Sequence, residues 1–172
     1  ARLLQLDGRL EHKAGFSFAT YKRADSHATG FFEQAFFEGD THQFDFQSSY
    51  LLLDEDAIKH RITAGGVHQR ETILQDVSNI FGSFGPTAAQ FSTGFFVENK
   101  FDVSDFWFTT VGYRHDDFSR AGDADTYRIA SRLLLSDDGP AVHGAIGTSF
   151  RNPSLGENAA GFGFNPGLLP EE

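Results

Sequence analysis

Several features that are common in other classes of protein are missing from this chain of 172 residues. It has no cysteine, which excludes disulfide scaffolds and Cys-ligated zinc. Its 14 basic residues are outnumbered by 24 acidic ones, and a net charge of −10 argues against a nucleic-acid partner, because phosphate binding needs clustered Lys and Arg. Its longest apolar stretches, such as Tyr50–Leu53, fall far short of the roughly 20 residues of a membrane helix. A helical membrane protein is therefore excluded.

Phenylalanine, by contrast, is abundant, with 20 residues. Hydrophobic residues make up 40% of the chain, and the mean hydropathy is −0.33, which resembles an ordinary soluble protein. That average misleads for membrane β-barrels, because apolar residues that face lipid alternate with polar residues that face the lumen. Barrels also carry aromatic residues on the lipid face and in girdles at the two membrane interfaces. The phenylalanine content therefore favours a barrel.

The two ends of the chain look cut. The chain has no initiating Met and no signal-peptide pattern over Ala1–Leu10, and it stops just after a Gly/Pro-rich loop. We expect residues 1–172 to be one partial domain from the interior of a longer protein. A fragment of this kind would leave two edge strands unpaired, so we expect that it cannot close a native barrel alone.

Period-two alternation predicts eight strands. They cover residues 1–7, 12–23, 39–52, 59–70, 90–101, 106–116, 126–136 and 141–151. The third strand has the clearest pattern. One of its faces carries His42, Phe44, Phe46, Ser48, Tyr50 and Leu52, and the other carries Thr41, Gln43, Asp45, Gln47, Ser49 and Leu51. In the last two strands Tyr127, Ile129, Leu133, Leu135, Val142, Ile146 and Phe150 form the apolar side.

The connections between these strands alternate in predicted length. Short ones cover Asp7–Glu11, Leu53–Ile58, Asp102–Asp105 and Ser136–Pro140. Longer ones cover Ala24–Glu38, Glu71–Ala89, Asp117–Asp125 and the tail from Asn152. Outer-membrane barrels have short turns at the periplasmic rim and long loops outside. We therefore predict an up-and-down meander with the turns near Asp56, Ser104 and Gly139 at one rim, and the loops near Phe31, Phe81 and Gly122 at the other.

A soluble β-sandwich is the alternative fold, because its strands also alternate. Sandwich strands are typically about 5–6 residues long, whereas several of the predicted strands reach the length that crosses a bilayer at a tilt. The two folds assign opposite burial to the same side chains. In a barrel, Phe44 and Phe46 are exposed to lipid and Gln43 and Gln47 face the lumen, whereas in a sandwich the two phenylalanines form the core.

Three segments of the second half resemble TonB-dependent outer-membrane receptors. Residues 106–118, FWFTTVGYRHDDF, resemble that family's "TAGxRYDDF" strand, and residues 144–155, GAIGTSFRNPSL, are close to its "ASYGTGFKAPSL". Residues 165–171, NPGLLPE, are close to "GNPNLKPE". All three occur in the family's order. Ser149 and Asn152 depart from the usual Gly and Ala, and the first hundred residues match in style only.

The resemblance implies an all-β, antiparallel, transmembrane β-barrel of about 22 strands, of which about eight are present here. It implies a bacterial outer-membrane location, contact with lipid, and uptake of a scarce nutrient such as a siderophore, cobalamin or a glycan. The family's plug domain, its energy-coupling box and its C-terminal strands are absent, so the TonB complex would be contacted through the missing N-terminal region. The cobalamin and siderophore branches are nearest in style.

Enzymatic chemistry is not indicated by any motif. Arg151 replaces the second Gly of a nucleophile elbow in residues 147–151, and Gly161–Gly163 lacks the third Gly of a dinucleotide fingerprint. His60 and His68 lie on one predicted strand and lack the helical i,i+4 spacing of a zinc pair. We therefore predict no catalytic residue, no metal site and no cofactor.

Charged residues on the predicted lumen side are the first group of candidate functional residues. They are Arg114, Asp116, Arg128, Arg132 and Arg151. They could contact the plug or guide a polar ligand through the lumen. The alternative is that opposite charges on adjacent strands pair across the lumen wall, a usual arrangement of cross-strand neighbours, and the sequence favours this alternative.

Aromatic residues of the predicted long loops are the second group, because ligand recognition usually belongs to loops. The candidates are Phe31, Phe32, Phe81, Phe84, Phe162 and Phe164. They could bind an apolar or chelate-like ligand, or they could be girdle residues at strand ends. Uptake by a receptor is the favoured function, with a passive porin and a soluble β-sandwich for binding or adhesion as the alternatives.

Overall fold

The computed structural model describes residues 1–26, 32–79, 82–85, 87–136, 139–160, 165–169 and 171. For Phe32, Glu33, Asn79, Phe84, Ala159 and Ala160 it describes the backbone alone. Nine strands lie in these ranges. They are β1 (Arg2–Gln5), β2 (Leu10–Ser26), β3 (Phe32–Glu55), β4 (Ile58–Asn79), β5 (Gly82–Phe84), β6 (Thr87–Val103), β7 (Trp107–Phe118), β8 (Gly122–Leu134) and β9 (Ala141–Gly147), followed by a π-helical turn, Gly156–Ala160.

The strands form one antiparallel sheet in which neighbours in sequence are neighbours in space. The order is β1-β2-β3-β4-β6-β7-β8-β9, and the short β5 pairs with β4. Over the described residues the sheet is open, with β1 and β9 at its edges. The partial, antiparallel, up-and-down architecture predicted from the sequence is confirmed. Within the same ranges, no helix is long and apolar enough to cross a membrane.

The two rims follow the prediction. Apart from the short β5, successive strands from β2 to β9 run in opposite directions, so the strand ends at Glu55 and Ile58, Val103 and Trp107, and Leu134 and Ala141 lie at one rim, which we call the lower rim. The strand ends at Ser26 and Phe32, Asn79 and Thr87, and Phe118 and Gly122 lie at the opposite, upper rim. Phe31 and Phe81, which were predicted at this rim, lie outside the described residues. Ser104 and Asp105 both have positive φ, at 48° and 57°. Consecutive left-handed residues match the right-handed twist of the strands they connect, so this turn reverses the chain tightly.

The predicted difference in loop length is wrong. Most of Ala24–Glu38 and Glu71–Ala89 is strand, since β3 has 24 residues and β4 has 22. The predicted loop Asp117–Asp125 contains only three residues, 119–121, between strands. A tilted strand crosses a bilayer in about 9–11 residues. The segments that were predicted as long loops are therefore mostly the upper ends of β2, β3, β4 and β6. These strands continue beyond the length that spans a membrane.

The strands have two chemically different faces. The register places Phe16, Phe44 and Phe46 on one side, which we call the outer face, with Phe95 on the same side. Phe44 is 51% exposed and Phe46 is 43% exposed, as the barrel prediction required and contrary to the sandwich. Among the described residues no second sheet covers them. The opposite side, which we call the inner face, carries the polar residues of β3.

Two details of the face assignment differ from strict alternation. Leu52 lies in a register shift between Leu51 and Leu53, so Leu53 takes the outer position instead. Phe150, predicted to share the outer side with Val142 and Ile146, lies beyond the end of β9 and contacts Phe118 edge-on at 5.5 Å between ring centroids. Phe118 belongs to the inner face. The chain after β9 therefore turns inward.

Candidate lumen wall and ligand site

The outer face carries a band of exposed apolar side chains. It includes Phe16, Phe18, Phe44, Phe46, Phe95, Val97, Val111, Tyr113, Tyr127, Ile129, Val142 and Ile146. Soluble monomers rarely expose a contiguous apolar patch of this extent. Trp107, near the lower rim, donates its indole N–H to the Ser131 hydroxyl at 2.8 Å. An indole ring with its polar atom satisfied is typical of the interfacial aromatic girdle of a membrane barrel.

This apolar band crosses the sheet obliquely. The cross-strand row that contains Phe16 and Phe44 continues through His68 and Thr93 to Asp117 on β7. The apolar residues of β8 and β9 instead lie in rows closer to the lower rim. Barrel strands tilt by about 35–45° from the barrel axis, so a level membrane must cut across the rows diagonally. The oblique band is consistent with strands that are tilted in a bilayer.

Three histidines on the outer face are hydrogen-bonded within the sheet. His12 hydrogen-bonds Ser48 at 2.7 Å, His68 hydrogen-bonds Thr93 at 2.9 Å, and His60 lies 3.2 Å from the Asn99 amide oxygen. His60 also stacks on Phe101 with ring centroids 4.1 Å apart. Across the described ranges, no group of three or more His, Asp or Glu is arranged to hold a metal ion. These histidines act as satisfied surface side chains.

Arg114 and Asp116 form the most buried ionic contact of the inner face. Arg114 donates to both carboxylate oxygens of Asp116 at 2.5 Å, and Asp116 is only 3% exposed. The two residues are on the same strand, whereas the sequence favoured pairing between adjacent strands. Gly94 lies opposite Asp116 on β6, and a Cβ at that position would overlap the ion pair. Glycine at residue 94 therefore makes room for a bidentate pair against the wall.

Arg128 and Arg132 lie on the inner face of β8, nearer the lower rim. Arg128 is opposite Gly112 and Gly147, and Arg132 is opposite Phe108 and His143. Within the part of the chain that the structure describes, neither side chain has an acidic partner within ion-pair distance. Lys100 is also on the inner face in this lower region, and it lies 3.4 Å from Glu98. Within these ranges, the inner face of β8 thus presents two cations without an acidic partner near the lower rim, whereas Lys100 is paired.

Arg151, predicted at the end of the last strand, lies beyond β9 and organises the returning chain. Its backbone pairs with that of Glu171, and its guanidinium contacts Glu157 at 2.9 Å and Glu171 at 3.6 Å. Glu157 also accepts from the backbone N–H and the hydroxyl of Ser154, each at 2.8 Å. These donors, with Arg151 nearby, hold the pKa of Glu157 below its usual range. We call residues 150–160 the strap.

The strap lies over the upper inner face. Its π-helical turn contacts β4 and β6, although it follows β9 in sequence. Leu155 is 6% exposed and Asn158 is 1% exposed. On the strands, Gln75 of β4 and Gln90 of β6 are also buried, and both belong to the inner face. The strap therefore spans the inner side of the sheet from β9 across to β4.

The inner face of the middle strands carries uncharged hydrogen-bonding residues in register. Ser17, Gln43, Gln69 and Ser92 are directly paired across β2, β3, β4 and β6. We call these four residues the amide row. The row was not predicted from the sequence, because alternation within a strand shows which residues share a face but not which residues of neighbouring strands are paired. Polar residues at equivalent inward positions of consecutive strands were the available signal.

Most of the predicted aromatic ligand residues lie outside the described residues. Phe31, Phe81, Phe162 and Phe164 belong to that group. Phe32 begins β3, and Phe84 ends β5, so neither is in a loop as predicted. Phe37, in the predicted loop Ala24–Glu38, is an inner-face residue of β3. Its ring centroid lies 5.8 Å from the guanidinium carbon of Arg23.

Comparisons with known proteins agree with this geometry. The family model described as TonB dependent receptor-like, beta-barrel, matches residues 2–172. A solved structure of the RagAB peptide transporter aligns with 72% of this chain at a TM-score of 0.51 and 12% identity. At that identity the likeness concerns the fold alone, and the chain spans 18% of the length of that transporter chain. No curated protein matches the sequence.

The family match extends over the predicted motifs and over the first hundred residues, where the sequence had suggested a resemblance in style only. The antiparallel meander, the exposed apolar outer face and the polar inner face are the features that the wall of such a barrel requires. The chain belongs to the family of TonB-dependent receptor-like β-barrels.

Proposed function

We propose that this chain is part of the barrel wall of an outer-membrane receptor that takes up a scarce, bulky nutrient such as a siderophore, cobalamin or a glycan. The TonB complex supplies energy through a region of the protein outside these residues. The bacterial outer membrane is the location, and its lipid contacts the outer face. The inner face and the upper rim contact the nutrient.

The division of chemistry between the two faces is the observation that carries this proposal. Apolar side chains on the outer face suit lipid, and the inner face offers amides, hydroxyls and ion pairs to a wet lumen. The extension of β3 and β4 beyond a membrane-spanning length supports a further role, because it lifts part of the inner face above the bilayer. A wall raised above the membrane is suited to capturing a ligand from outside the cell.

The test uses the full-length protein in a Gram-negative host. Cell fractionation should place it in the outer membrane, and labelled ferric siderophore, cobalamin and oligosaccharides should be offered separately. We expect concentrative uptake of one of these nutrients, and we expect a protonophore or loss of the energy-coupling protein to abolish it. Equal uptake in energised and de-energised cells would instead support a passive porin and overturn the proposal.

A further inference from the structure

The amide row has the chemistry of a binding surface for an uncharged ligand. Within the described part of the chain, the side-chain amides of Gln43 and Gln69 hydrogen-bond to no other protein group. Directly opposite residues have Cβ atoms about 4.5–5.5 Å apart. The row therefore presents free donors and acceptors, spaced by one strand, across about 14 Å of the inner face.

Unpartnered polar atoms under the strap are a second, independent observation. Gln90 is 4% exposed and Asn158 is 1% exposed, and among the residues that the structure describes the Gln90 Oε1 and Asn158 Nδ2 atoms have no hydrogen-bond partner. Gln90 lies next to Ser92 on the inner face of β6, so it adjoins the amide row. Buried polar atoms are nearly always paired, and an exception points to a water or a ligand. A hydroxyl group both donates and accepts, so it could pair with either amide.

The charges around the row disfavour an anionic ligand. Asp45 and Glu71 flank it on the inner face of β3 and β4. The cations nearest to it are already paired with acids: Arg114 with Asp116, and Lys13, on the inner face of β2, with Glu11 at 3.4 Å. Carboxylates accept hydrogen bonds from hydroxyl groups, whereas they repel negatively charged chelates.

An aromatic ring completes the surface. Tyr21 is exposed on the inner face of β2, four residues above Ser17, and it is paired with Gly39 on β3. Four residues of strand span about 13 Å. The distance between the row and this ring is therefore that of a few linked sugar units, whose apolar faces can stack on an aromatic side chain.

From these features we propose that the amide row, with Gln90, Asn158 and Tyr21, binds a neutral oligosaccharide. The inference rests on the proposed uptake function and names its substrate class. The strap forms one side of the site, and a sugar chain entering between the strap and the row supplies hydroxyl partners to the buried amides. The lower inner face, with Arg128 and Arg132, is not part of this site.

The experiment measures binding of maltoheptaose, cellohexaose and xylohexaose to the full-length protein in detergent, by calorimetry. We expect one of these probes to bind, and Gln43→Ala and Gln69→Ala each to weaken its Kd by about tenfold, equivalent to about 1.4 kcal/mol. Gln69→Met, which keeps the length of the side chain without its amide, should behave like Gln69→Ala. Gln34→Ala is the matched control, because Gln34 is on the outer face of β3, and it should leave the Kd unchanged.

Two outcomes would overturn the inference. One is that none of the three oligosaccharides binds to the folded protein, whether or not a ferric chelate binds, and this would leave the uptake function intact. The other is oligosaccharide binding that is equally strong in the wild-type protein and in a Gln43→Ala/Gln69→Ala double variant. The proposed uptake function fails by a different measurement, namely transport that does not depend on energy, so the two failures are distinguishable.

Discussion

The outer and inner faces of the sheet are made from alternating residues of the same strands, yet they differ in what stabilises them. On the outer face, phenylalanines such as Phe16 and Phe44 are exposed, and in the proposed membrane location lipid completes their burial. On the inner face, the protein supplies its own partners, as in the Arg114–Asp116 pair beside Gly94. The effect of an outer-face substitution on stability therefore depends on how well the new side chain suits lipid. The effect of an inner-face substitution depends on the neighbouring side chains.

Adjacent residues of β3 give the largest test of this difference. Phe46→Arg should destabilise the barrel by about 2–4 kcal/mol near the bilayer midplane, since it exposes a charge to lipid. Gln47→Arg, one residue along, faces the wet lumen and should cost far less. Urea titration of the full-length protein in lipid vesicles measures both values. Equal costs would contradict the assignment of the two faces.

Two glycines test the packing of the inner face. A Cβ at Gly94 would overlap the ends of the Arg114 and Asp116 side chains, which would shift and weaken the bidentate contact of the buried Asp116, so Gly94→Ala should destabilise by about 1–3 kcal/mol. Gly144, on the outer face of β9, has no atom within 4 Å of the position a Cβ would take, so Gly144→Ala should change stability little. The same titration compares them. A smaller loss for Gly94→Ala than for Gly144→Ala would refute the crowding of the inner face.

Loss of the hydrogen bond between Trp107 and Ser131, near the lower rim, should have a smaller effect on stability. Trp107→Phe keeps an aromatic ring at the interface and removes the hydrogen bond to Ser131, so we expect a loss of about 0.5–1.5 kcal/mol. Ser131→Ala also removes the 3.0 Å contact with the Thr109 hydroxyl, so it should cost somewhat more, and the double variant should cost less than the sum of the two. Full additivity in this double-mutant cycle would show that the indole–hydroxyl contact contributes nothing.

Loss of the Glu157 contacts in the strap should have the smallest and most local effect on stability. The pKa of the Glu157 carboxyl is lower in the folded protein than in the unfolded chain, because Ser154 donates to it. Its contribution is therefore present above the unfolded pKa and is lost as the pH falls through the folded pKa. Glu157→Gln at neutral pH should reproduce this acid effect. Amide hydrogen exchange should then accelerate in residues 150–160 while β7 and β8 stay protected. Equal exchange rates in the strap of the variant and of the wild-type protein would contradict the prediction.

Much of the fold could be predicted from the sequence because a strand's period of two is a local property. Each of the eight predicted strands overlaps an observed strand, and the sides of Phe44 and Gln43 followed from alternation alone. The lengths of β3 and β4 could not be predicted in the same way. Their upper parts mix polar and apolar residues on both sides, so the alternating signal weakens where the strand leaves the membrane.

The candidate site was less accessible to sequence reasoning. Arg114 and Asp116 were identified on one face, but their mutual pairing depends on the space left by Gly94 on another strand. Arg151 was expected at a strand end, and instead it anchors the strap through Glu157 and Glu171. Contacts of this kind depend on register between distant segments, which a single sequence does not reveal.

By itself, the sequence determined the strand class, the meander, the two rims and the face that meets lipid. These follow from residue spacing and from the need of a bilayer for apolar side chains on one side of each strand. The tertiary structure decided which polar residues meet. Ser17, Gln43, Gln69 and Ser92 are far apart in the chain, and only backbone pairing between four strands brings them into one row.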